Sequence, residues 1–99
     1  MINEVILVGV LSQIGEEKDN KQNIVLSVER PFNDVDGRKW DRFNCKLWCS
    51  IFKRILSSCK VGDLLAIKGR IVTDHSEYMV MAENVVILNK SKDNILKAS

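Results

Sequence analysis

Ninety-nine residues allow one domain, near the small end of what buries an adequate core without staples. A hydrophobic share of 45% beside 28% charged residues excludes a disordered chain, and no apolar run reaches the length of a membrane span. The formal net charge is only +2, so a polyanion site must come from local clustering of cations and not from the total.

The chain starts "MINEVILVGV", without the basic stretch and small-residue cleavage site of a signal peptide, which places it in the cytoplasm. Residues 3 to 12, "NEVILVGVLS", are β-branched and apolar and predict a strand whose glycine marks a close backbone approach or a bend. "GEEKDNKQN" follows and reads as a polar, charged loop, with Glu16, Glu17 and Asp19 in solvent. "IVLSVER" alternates as a second strand, and "PFNDVDGRK" holds the single proline and an Asp-Gly pair in a turn region. The third strand is "KWDRFNCKLW". From Ser50 the period changes: Ile51, Phe52, Ile55, Leu56 and Cys59 recur at helical spacing, with Ser50 as the expected N-cap. "VGDLLAIKGRIVTD" returns to alternation, placing Leu65, Ile67, Gly69 and Ile71 on one face. "HS" makes a tight turn into the last strand, "EYMVMAENVVIL". Residues 1 to 89 form the domain, and 90 to 99 a short polar tail.

Three strands, one short helix and two strands predict an all-β fold with one short helix, a closed five-stranded Greek-key barrel of the OB-fold type. Period two then divides the third strand into faces. Phe43, Cys45 and Leu47 supply a core face, while Trp40, Arg42, Asn44, Lys46 and Trp48 share the other. Indoles interleaved with cations are what a single-stranded nucleic acid needs. Unpaired bases stack on the rings, and the phosphates between them take Lys and Arg. The alternative is that Trp40 or Trp48 packs under a loop or in a subunit interface. Arg30, Arg38 and Lys39 lie beside the turn that leads into this strand, Phe32 lies in the turn itself, and Lys68 and Arg70 on the outer face of the fourth strand. All six extend the candidate surface. RNA is a further ligand that stacking platforms accept.

Cys45, Cys49 and Cys59 show no CxxC pair, and the single histidine, His75, stands apart from them. Reduced, mostly buried thiols fit this set better than a metal site, and no cofactor is implied. One histidine assembles no catalytic triad or dyad, so the expected role is binding and not catalysis.

In its motifs the sequence resembles the bacterial single-stranded DNA-binding protein family over residues 1 to 88. "MINEVILVGVLS" is similar to the family's usual start, "FNCKLW" to its Asn-Cys-x-x-Trp strand, "KVGDLLAIKGRIVT" to its lysine–glycine turn and Gly-Arg strand, and "AENVVIL" to its closing segment. The resemblance implies binding of single-stranded DNA with little sequence preference, in replication, recombination or repair, by a homo-oligomer of two or four chains with no membrane association. Trp48 and Phe32 correspond to stacking aromatics, and Arg42 stands where the family usually has another, a role that Trp40 is placed to take. Cys49 and Ser50 replace basic residues, Val10 a polar or basic one, and "QIGEE" the usual Asp-Pro-Glu. The hairpin "TDHSE" lacks the DNA-wrapping arm, and "NILKAS" stands in place of the acidic tip that recruits replication and repair enzymes. These departures imply weaker binding and a smaller site. They also suit a primosomal-type accessory factor, a shortened OB-fold dimer acting mainly through other replication proteins. The first strand, with Val5, Leu7, Gly9 and Leu11 on one side and Ile6, Val8 and Val10 on the other, is the candidate dimer sheet.

Overall fold

Side chains alternating between a buried inner face and an outer face build the strands of the computed structural model, which describes residues 1–32, 37 and 39–90. β1 spans Val5–Lys18, β2 Lys21–Glu29, β3 Trp40–Trp48, β4 Leu64–Asp74 and β5 Glu77–Asn89, with α1 at Lys53–Ser58 between β3 and β4. The strands close into a barrel in the order β1-β2-β3-β5-β4. Every neighbouring pair is antiparallel except β3 and β5, which touch in parallel at only Cys45–Val80 and Lys46–Met81. This is the expected OB-fold barrel.

β1 closes it by serving two neighbours in turn. Val5–Val10 pair with β4, and from Val10 to Lys18 the strand pairs with β2. Gly9 sits at the changeover, where an added Cβ would run into the Ser27 carbonyl, so the close approach expected of this glycine is present. Leu7, Leu11, Ile24, Leu26, Cys45, Leu47, Leu65 and Ile67 point inward and are buried. Phe52 and Cys59 bracket α1 and plug one end, with Ile55 and Leu56 packed beside them.

Two local expectations are corrected. The segment after Gly15 is not a loop: β1 continues to Lys18, and Asp19 and Asn20, both at positive φ, turn the chain straight into β2. Asx residues tolerate the left-handed region, which is what a two-residue hairpin turn requires. α1 starts at Lys53 and not at Ser50; Phe52 occupies the N-cap position without a side-chain cap, and the Ser50 hydroxyl accepts a hydrogen bond from Asn20 Nδ2 instead. His75 and Ser76 form the expected tight turn, again at positive φ. Ile71 keeps the parity of the core face but is 45% exposed, because it borders an opening between β3 and β5 beyond their short contact. The C-terminal tail from 91 lies outside the described residues.

Asp63 is the one buried charged residue among those described, and nothing in the sequence pattern marked it. Its carboxylate accepts a hydrogen bond from the Lys60 backbone N–H and lies 3.5 Å from Lys90 Nζ. Its carbonyl accepts from the Leu11 N–H, tying the turn before β4 to β1.

Candidate nucleic-acid interface

β3 lies between β2 and β5, so its outward side chains form the centre of a surface rather than its margin. Cys45 and Leu47 are fully buried and Phe43 is half-buried, whereas Trp40, Arg42 and Asn44 are exposed and Lys46 and Trp48 half-buried. The two faces read from period two are therefore the two faces present. Trp40, opposite Glu29, keeps 44% of its surface in solvent. Trp48, opposite Lys21, has that ammonium 4.7 Å from its ring centroid, a cation–π contact that covers one face of the indole.

Beside this row runs a groove of about 460 Å³ between the end of the β1–β2 hairpin and the turn joining β4 to β5. Asn23 and Asn44 belong to its lining, with Lys18, Lys21 and Lys46 as its cations and Glu16, Asp74 and Glu77 as its carboxylates. The lysines and carboxylates balance. Lys46 Nζ lies 3.9 Å from Asp74 Oδ2, so the central cation already faces an anion. Lys18 and Lys21 fall in the segment whose polar composition predicts a loop, so the sequence pattern does not mark them. The adjacent Asp19-Asn20 pair, with Gln22 and Ile24 alternating beyond it, is the signal for the hairpin that carries them.

The remaining candidate cations divide. Arg30 forms a two-pronged contact with Asp41, Nε to Oδ2 at 2.9 Å and Nη2 to Oδ1 at 2.6 Å, and its N–H donates to the Lys39 carbonyl at 2.8 Å. It closes the mouth of the β2–β3 connection, which gives it a structural task. Lys39 and Phe32 are exposed at that mouth, Phe32 with 81% of its surface free. Arg38 lies outside the described residues. Lys68 and Arg70 stand on β4, between β1 and β5. Lys68 pairs with Glu4 at 3.0 Å, which pushes its pKa up, and Arg70 pairs with Glu83 at 3.3 Å. Arg70 is opposite Met81, which in turn is opposite Lys46, so it lies two strands from β3 on the same outer side, while Lys68 stands farther along β4; both cations are already matched by carboxylates.

All three cysteines are free thiols. Burial pushes the Cys45 thiol up to about 12. Cys59 is raised by burial and by nearby Asp63, and Cys49 by hydrogen bonding to Glu17.

No family model matches the chain. Among curated proteins, single-stranded DNA-binding protein 1 of Streptococcus pyogenes is 33% identical, over 100% of this chain and 87% of that protein. The chain belongs to the bacterial single-stranded DNA-binding protein family. This family member is also 36% identical to single-stranded DNA-binding protein 1 of Lactococcus lactis and 34% to the single-stranded DNA-binding protein of Halalkalibacterium halodurans. It spans 55% and 61% of those two longer relatives. Its fold recurs among solved structures, two of which illustrate it. The mitochondrial single-stranded DNA-binding protein Rim1 of S. cerevisiae has a TM-score of 0.74 at 12% identity, over 91% of this chain and 98% of that one. The dimeric N-terminal domain of PriB from Thermoanaerobacter tencongensis has 0.65 at 20%, over 89% and 98%.

Proposed function

We propose that this chain binds single-stranded DNA with little sequence preference, as a binding module and not an enzyme. Bases stack on Trp48 and Trp40, and phosphates meet Arg42, Lys46 and the groove lysines Lys18 and Lys21. The observation that carries this reading is the outer face of β3: exposed Trp40 and half-buried Trp48 alternating with cations and an amide, above an inner face built on Phe43, Cys45 and Leu47. Stacking is indifferent to base identity, since every base has a π-face, which accounts for binding without a preferred sequence. A titration with oligo-dT at two salt concentrations, followed by tryptophan emission, tests it. Quenching that weakens steeply with salt is expected, because neutralised phosphates release counterions. Unchanged affinity in both Trp40→Ala and Trp48→Ala defeats the assignment of the stacking face. The same titration with oligo-U measures how far RNA competes.

A homo-oligomer is the second part of the proposal. Ile6, Val8, Val86 and Leu88 are each about half or more exposed on the adjoining strands β1, β4 and β5, with Ala66 between Val8 and Val86. Covering that apolar face with a second copy removes it from water. The β1 edge before Val10 is also free of β2, whose ladder begins at Val10–Ser27, which suits β1 as the dimer sheet. Light scattering of the wild type and of Val8→Lys decides between two chains, four chains and one.

A further inference from the structure

β3 and β5 are hydrogen-bonded only at Cys45–Val80 and Lys46–Met81. Before that point the strands part. β3 from Trp40 to Asn44 pairs with β2 on its other side, and β5 from Glu77 to Met79 pairs with β4 on its other side. Between the two facing edges lies a cleft of about 170 Å³, bordered by Arg42 and Phe43 from β3 and by Tyr78 from β5, with Val5 and Ile71 also against it. Asn44 and Met79 line both this cleft and the main groove, so the two adjoin. Tyr78 has 76% of its surface free, and Ile71 45%. Arg42 is exposed and, unlike that of Lys46, its side chain forms no ion pair or hydrogen bond among the described residues.

We propose that this cleft is a nucleotide subsite, in which Tyr78 stacks one base and Arg42 takes the adjoining phosphate of a strand arriving from the groove. The proposal rests on the reading of the groove as a single-stranded DNA site and adds Tyr78, which that reading does not use. Three features favour a nucleotide over other occupants. The cleft adjoins the groove, an exposed aromatic and an exposed guanidinium both border it, and the edges of β3 and β5 part beside it. A tyrosine ring offers the same stacking surface as an indole, with a hydroxyl left in water.

Irradiation of the full chain bound to oligo-dT carrying 5-iodouracil, followed by peptide mapping, tests the placement directly. An adduct on Tyr78 is expected; adducts confined to Trp40 and Trp48 overturn the proposal while leaving the groove reading intact. In parallel, Tyr78→Ala and Tyr78→Phe are titrated with a short oligo-dT and with a longer one. Tyr78→Ala should weaken the longer ligand roughly 5- to 150-fold and spare the shorter, while Tyr78→Phe behaves as wild type. Equal affinities in all three proteins overturn the subsite. Absence of any oligo-dT binding by the wild type overturns the groove reading and the subsite together. Arg42→Gln should flatten the salt slope for the longer ligand by about 0.7, one phosphate contact, and an unchanged slope removes Arg42 from the subsite.

Discussion

Asp74→Asn is the sharpest probe of the groove. Asp74 Oδ2 lies 3.9 Å from Lys46 Nζ, where a phosphate oxygen has to compete for the same ammonium. Unit charges at that separation attract by about 1 kcal/mol in water and about 4 kcal/mol at an effective dielectric of 20. Asp74 is 48% exposed and Lys46 28%, so solvent screening holds the pair to at most about 1 kcal/mol. Removing the carboxylate turns a balanced lining, three lysines against three carboxylates, into one with a single excess cation. The affinity for oligo-dT should therefore rise by up to about fivefold at low salt. The log–log dependence of affinity on salt should steepen by about 0.7, one added phosphate contact on single-stranded DNA. Asp74 also lies 3.4 Å from His75 Nε2, but that imidazole is 94% exposed and points into solvent, so its loss leaves the groove alone. Thermal stability should change little, since the pair is a surface one. Tryptophan-quenching titrations at several salt concentrations read both quantities. An unchanged affinity with an unchanged slope refutes the competition, and a weaker affinity means that Asp74 positions Lys46 for its ligand.

Three further outcomes follow from the same geometry. Trp48→Ala should cost about 1–3 kcal/mol of oligo-dT binding and remove most of the quenching signal, as measured in the same titration. Gly69→Ala places a methyl group against the Met81 carbonyl at the register shift of β4 and β5, which is backbone and cannot swing aside. It should destabilise the barrel by about 1–3 kcal/mol in urea unfolding, and a neutral result means the shift relaxes freely. The buried Cys45 thiol keeps its proton to about pH 12, against about 9 for an ordinary cysteine. The unfolded chain loses that proton first, so stability is intact below about pH 9 and falls as pH rises toward 12, by at most about 1.4 kcal/mol per pH unit. Cys45→Ala should flatten that alkaline slope in pH-dependent denaturation.

The division of β3 into two faces was legible because one face is buried along most of its length, and burial writes period two into the residues. The second half of β1 was not legible for the same reason inverted. Beyond Leu11 the strand runs past the core, Ile14 is 44% exposed, and neither face is filled with apolar residues. What makes it a strand is pairing with β2 through Asp19 and Asn20, a tertiary fact with a faint local signal. The commitments of Lys68 to Glu4 and of Arg70 to Glu83 were equally hidden. Those partners meet only once the barrel has closed, and no local spacing announces them. Asp63 reads locally as one more polar turn residue; its burial comes from β1 passing over it.

The connections β1–β2 and β4–β5 each turn in two residues, Asp19-Asn20 and His75-Ser76, and both end at the rim of the groove. Neither is long enough to fold over a strand lying between them. Release of such a strand then waits on neither of these two turns: it can peel from one end, one stacked base at a time. A groove of this shape suits traffic more than storage.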